Sequence, residues 1–174
     1  VALATPGCVI DEVADYEVGD APFCEAASPW PREYGDFEDT LLEGIDAVRR
    51  QGRTCGETRH NPVATPEPSP ELRCAARIHA TWLAEHDGLS HDGVDDTTPL
   101  SRAALAGYRG ALRYELLARD YAGPGATLTA WLEDEQHCSA LFDRAIVDIG
   151  IGHSRNADGD AYGWVVLLGE QRFD

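Results

Sequence analysis

Three side chains hold positions from which they could do chemistry together: His91, Glu115 and His137. The chain has six histidines, and a single histidine is ordinarily structural or merely exposed, so what matters is which of them converge. His79 falls on the apolar face of a helical stretch and is expected in the core. His60 and His86 flank loops, and His153 ends a strand-like run beside a turn. His91 sits in the polar run Ser90-His91-Asp92-Gly93-Val94-Asp95-Asp96, directly after a helical stretch, and His137 sits at a break in a later one. Glu115 is the only acid between Gly107 and Arg119. Beside Leu112, Leu116 and Leu117 it is expected to meet a cation or to face a pocket. Two imidazoles and one carboxylate are a normal zinc set that leaves one position for water or substrate. Metal-bound water is a nucleophile near neutral pH, so hydrolysis is chemically possible. No serine sits in a Gly-x-Ser-x-Gly turn. Cys138 follows His137 directly, but helix neighbours point about 100° apart, so that adjacency does not make a catalytic pair.

Five cysteines are present, none in a Cys-x-x-Cys pair, which disfavours zinc ribbons and thioredoxin-type motifs. Their spacing favours two local disulfides, Cys8–Cys24 and Cys55–Cys74, each contributing about 3 kcal/mol in the chain-entropy model. Cys138 is then expected to be a reduced, buried thiol. Disulfides imply an oxidising compartment. The chain starts at Val1 and contains no methionine, which points to removal of a secretory signal peptide and an extracellular location. No apolar run approaches the roughly 18–20 residues that span a bilayer. The formal charge is -17, every basic residue is arginine, and twelve acids face one base between Asp11 and Asp46. Such a surface repels nucleic acid and anionic membranes.

These residues need elements to position them. Residues 1–35 show turn residues without a sustained period and are expected as an irregular extension, held by a disulfide and by Trp30. Phe37, Leu41, Leu42, Ile45 and Val48 recur at helical spacing, with acids early, Arg49 and Arg50 late, and Gly52 after them, which predicts a helix over 36–50. Residues 53–70 carry Pro62, Pro66, Pro68 and Pro70 and read as a loop. A second helix follows Pro70, with Leu72, Ala75, Ala76, His79 and Leu83 on one face and Gly88 at its end. A short helix is predicted over 99–106. Residues 109–118 are ambiguous, and a third long helix covers 126–143 with a break near Gln136. Two strand-like runs, 145–151 and 162–168, flank the turn Asn156-Ala157-Asp158-Gly159. Helices first and a hairpin last, without βαβ alternation, predict an α+β fold with helices on an antiparallel sheet.

From Phe37 to Gly169 these segments resemble bacterial members of the superfamily of cysteine-rich secretory proteins, antigen 5 and pathogenesis-related 1 proteins. The likeness rests on Leu41 to Arg49, on Leu72-x-Cys74-Ala75-Ala76-x-x-His79-Ala80, and on Ser90-His91-Asp92-Gly93. It continues through Ala103 to Tyr108, Ala130-Trp131 to His137-Cys138, and Ile149 to Gly152 with Trp164 to Gly169. The resemblance implies a three-layer α-β-α sandwich, residues 36–174 as its domain, and a cleft lined by two histidines and acidic groups. On that pattern His91, Glu115 and His137 would line the cleft, with Asp134 at the position of a second family glutamate. Departures from the pattern are plain: the usual Gly-Glu-Asn is Tyr114-Glu115-Leu116, the glycine before the second histidine is Gln136, and Tyr162 to Leu168 holds no histidine. The resemblance implies a secreted, non-enzymatic binding module, its cleft able to hold a divalent metal such as zinc and to recognise a small apolar ligand or an extracellular protein. Two alternatives stay open: a metal-dependent, peptidase-like hydrolase, and a domain whose site is structural only.

Overall fold

In the computed structural model, which describes residues 17–170, a four-stranded sheet lies between two layers of helices. A 3₁₀ turn, Pro22–Ala27, precedes helix α1, Arg32–Gln51. Strands β1, Arg53–Cys55, and β2, Thr58–His60, form a small hairpin, and β3, Glu67–Pro68, leads into α2, Pro70–Glu85. A second 3₁₀ turn, Val94–Asp96, precedes α3, Pro99–Leu105, and β4, Ala111–Arg119. Helices α4, Pro124–Glu133, and α5, Glu135–Leu141, lead to β5, Asp148–Arg155, and β6, Tyr162–Glu170. The main sheet has the order β3-β5-β6-β4 and is antiparallel, apart from the two-residue parallel pairing of β3 with β5. The fold is the expected α+β, three-layer α-β-α sandwich.

Local chemistry accounts for the boundaries. Gly52, at φ 68°, stops α1 in a conformation that side chains resist, and Ser69 caps α2 by accepting from the Leu72 amide at 3.2 Å. The long helix expected over 126–143 is two helices, because Asp134 takes extended angles and caps α5 through the His137 amide at 2.8 Å. The ambiguous stretch around Glu115 is strand β4. Both of its faces are covered, so the period-two alternation that would have marked it is blurred.

The two faces of the sheet bury different helices. Leu116, Ala118, Ile149, Ile151, Trp164, Val166 and Leu168 pack with Leu41 and Ile45 of α1, Trp131 of α4 and Leu141 of α5. Leu117, Val165 and Leu167 pack on the opposite face with Leu72, Ala75, Ala76 and Leu83 of α2 and Ala103 of α3. Helix α2 lies close because Gly150 and Gly152 offer no side chain. A Cβ at either would collide with the α2 backbone at Leu72 or Ala76. Where β3 ends, the free amide of His153 on β5 donates to Glu38 of α1 at 3.1 Å. Glu38 is also held by Arg77 of α2 at 2.7 Å, and that guanidinium lies 4.8 Å from the centre of a Trp30 ring. One buried ion pair thus ties both helix layers to the sheet edge, and Trp30 is fixed there as expected.

The disulfides correct the sequence expectation. Cys24 bonds Cys74 and Cys55 bonds Cys138, with Cα separations of 5.4 and 5.6 Å. The 3₁₀ turn over 22–27 packs on α2, and β1 lies beside α5, so partners 50 and 83 residues apart meet while sequence neighbours do not. Cys138 is therefore not a free thiol, Cys55–Cys74 is excluded, and Cys24 is unavailable to Cys8, which lies outside the described residues.

Candidate functional site

Glu115 alternates with Leu116 along β4 and so faces the α2–α3 layer, where its side chain is 2% exposed. One carboxylate oxygen meets Nδ1 of His91 at 2.6 Å and the other meets Nη2 of Arg102 at 2.7 Å. Arg102 comes from α3 and is fully buried. Its guanidinium also donates to the carbonyl of Thr97 at 2.6 Å and to that of His91 at 3.0 Å. The capping box of Thr98 and Ser101, with Pro99 behind it, starts α3 where Arg102 reaches all three acceptors. Burial raises the Glu115 carboxyl above the ordinary glutamate value, while Arg102 and His91 pull it back.

His79 completes the support from α2. Its Nε2 lies 2.9 Å from the Ser90 carbonyl, which can only accept, so that nitrogen carries the proton. Burial, then the charge of Arg102, lower the His79 pKa to about 3, so the ring is neutral. Its Nδ1 is buried without a hydrogen-bond partner beneath Gly93, where a Cβ would stand 2.7 Å away. The loop over 90–97 is thus held by three carbonyls, those of Ser90, His91 and Thr97. Within it Asp95 and Asp96 take φ of 52° and 55°, a left-handed conformation that costs about 1–3 kcal/mol per residue and is kept only where surroundings enforce it. His91 itself is 61% exposed. With Nδ1 engaged by Glu115, its Nε2 is a polar atom held in a fixed orientation at the surface.

His137 does not join this site. Its neighbour Cys138 packs in the α1–α5 layer, across the sheet from Glu115, and its own Nδ1 lies 3.3 Å from Asp134. Asp134 in turn is spent on capping α5, and the His137 amide lowers its pKa. The expected convergence of His91, Glu115, Asp134 and His137 is therefore corrected: the structure joins His91 to Glu115 and leaves the other two as a separate helix-capping pair. Among the described residues no group of three His, Cys, Asp or Glu side chains could hold a metal ion. At Glu115 both oxygens are engaged, one by a guanidinium whose charge opposes a bound cation. The residues present do not fit the zinc set expected of them.

Sequence reasoning anticipated a cation for Glu115 but did not name Arg102. The available signal was a lone arginine within Leu100-Ser101-Arg102-Ala103-Ala104-Leu105. It also missed a groove beside the same loop. Phe23, Ile78, Trp82 and Val94 wall a hollow of about 550 Å³ whose rim carries Glu85, His86 and Asp95. Trp82 stacks between His86 at 4.3 Å and His79 at 5.6 Å, so one histidine both braces the groove and holds the carbonyl next to His91.

The geometry has counterparts among known proteins. A search of curated proteins by sequence finds no match. Among solved structures, the chain is similar to an outer surface protein from Borrelia burgdorferi, with a TM-score of 0.66 at 23% identity, over 79% of this chain and 94% of that one. It is also similar to an extracellular protein containing a SCP domain from Bacillus anthracis, with a TM-score of 0.66 at 14% identity, over 79% of this chain and 41% of the other. A cysteine-rich secretory protein from Staphylococcus aureus gives 0.57 at 11% identity, over 80% of this chain and 40% of its own length. At such identities the likeness is one of fold. The family model for the cysteine-rich secretory protein family matches residues 43–168, a span that holds α2, the clamped loop, Glu115 and both closing strands. The chain belongs to the cysteine-rich secretory protein family.

Proposed function

We propose that the chain is an extracellular binding module whose recognition surface is the loop over 90–97, with His91 at one end and the apolar groove at the other. The observation that carries this reading is the groove, an apolar hollow large enough for a small ligand or for a few side chains of a partner. His91 adds one directed polar contact, because Glu115 and Arg102 fix its ring from behind. A few placed polar groups beside an apolar wall are the ordinary composition of a binding site. Secretion fits the two disulfides and the likeness to an extracellular protein of Bacillus anthracis.

A structural-only role for Glu115 has its own support, since Arg102 donates to two loop carbonyls as well as to Glu115. Titration with Nile red, an uncharged apolar dye, separates the two readings. A recognition surface predicts saturable binding that Val94→Ser weakens several-fold, with the melting temperature unchanged. Absence of saturable binding, or binding indifferent to Val94→Ser, would leave the structural role alone.

A further inference from the structure

Resting on the binding-module reading, we infer that the groove beside Trp82 docks a basic, apolar peptide segment of a partner protein, seating its apolar side chains inside and its cations on the rim. Among the described residues, the charged carboxylates lining the groove are Glu85 on α2 and Asp95 on the loop, and no arginine lines it. Asp92 and Asp96 lie on the same loop as Asp95, and the chain as a whole carries -17 without one lysine. An anionic guest, such as a fatty-acid carboxylate or a phosphate headgroup, would meet repulsion at both sides of the opening. A cation would be drawn in. Val94, which lines the hollow, is 38% exposed, and Leu89, earlier on the same loop, is 58% exposed. A hollow with apolar walls and carboxylates at its opening suits a guest that carries both apolar side chains and cations, which a peptide segment supplies. Trp82 is the natural anchor, since aromatic side chains in a central pocket dominate peptide and protein interfaces.

The test uses fluorescence anisotropy with three dye-labelled, end-capped octapeptides that alternate leucine with arginine, glutamine or glutamate. The arginine peptide is expected to bind, the glutamine peptide to bind about tenfold more weakly, and the glutamate peptide not to bind. Salt should weaken the arginine peptide selectively. Replacing both rim acids (Glu85→Gln with Asp95→Asn) should cost the arginine peptide roughly 3–10-fold, as expected for rim charge pairs. Trp82→Ala should cost at least about tenfold, and the exposed Val94→Ser, which does not endanger folding, several-fold. Equal binding of the arginine and glutamine peptides would overturn the charge assignment. Binding unaffected by Val94→Ser and Trp82→Ala would overturn the groove. A dimer in sedimentation velocity that Val94→Ser dissolves would make a second copy the occupant and overturn the proposal as well. Failure of all three peptides while Nile red still binds would sink this inference and leave the binding-module reading standing. Failure of both probes would sink the two together.

Discussion

At Glu115 a carboxyl whose pKa burial raises is held by an arginine and a histidine, and removing either partner has different consequences. Arg102 is buried, so Arg102→Ala would strand Glu115 and free the loop carbonyls of His91 and Thr97 at once. A loss of about 3–5 kcal/mol is expected, seen as a large fall in melting temperature. His91 is exposed, so His91→Ala should cost less than about 1 kcal/mol and act on binding instead. A second residue-scale prediction concerns pH. His79 and His153 have pKa values lowered to about 3 and about 4, chiefly by burial. His79 faces Arg102 and His91, while His153 faces Arg155 and lies against Trp164 at 3.9 Å. Unfolded imidazoles take up protons below about 6.5 and the folded ones do not, so stability rises with pH between about 4 and 6.5. It is lost on acidification at up to about 1.4 kcal/mol per pH unit for each ring. The raised carboxyls of Glu38 and Glu115 work the opposite way above the ordinary glutamate range. Thermal melts from pH 7 to 4 should therefore fall less steeply for His153→Phe than for the natural chain. Equal slopes would show that the buried ring does not drive the acid loss.

At the scale of elements, what could be read from sequence was whatever a local period or cap encodes. The face of α2 showed in Leu72, Ala75, Ala76, His79 and Leu83, and the closing hairpin showed in its Asn156 to Gly159 turn. Strand β4 was illegible because both its faces are buried, and the cysteine pairing because sequence distance is a poor guide to contact once the 3₁₀ turn over 22–27 folds onto α2. The candidate site divides the same way. His91 and Glu115 stood out by type and place, whereas Arg102 and the groove come from packing between elements that no local pattern records. His137 was misassigned because its joint between α4 and α5 looked functional, when Asp134 makes it a cap. Three expectations follow. Peptide mapping without reductant should recover Cys24 linked to Cys74 and Cys55 linked to Cys138. Breaking the second pair by serine substitution should lower the melting temperature by about 10 °C, from a chain-entropy term of about 4 kcal/mol. Gly152→Ala should cost at least about 1–3 kcal/mol, since its Cβ would meet the backbone of α2. A Gly152→Ala protein as stable as the natural chain would mean that α2 can lift off the sheet.

Across the whole molecule the two helix layers do different work. Each layer has its own core cluster and disulfide, and the α2–α3 layer carries in addition the clamped loop, the exposed His91 and the groove. No helix of the described residues is long and apolar enough to cross a membrane. With -17 charges on 174 residues, self-repulsion opposes compactness, and moderate salt should raise the melting temperature by a few degrees. We propose that recognition belongs to the α2–α3 layer, at the loop over 90–97. The most direct measurement is a titration of the isotope-labelled protein with Nile red, followed by amide chemical shifts. The largest shifts are expected on Phe23, Ile78, Trp82 and the residues from His91 to Asp95, with Asp134 and His137 unmoved. Shifts centred on Asp134 and His137, or spread evenly over both layers, would contradict it.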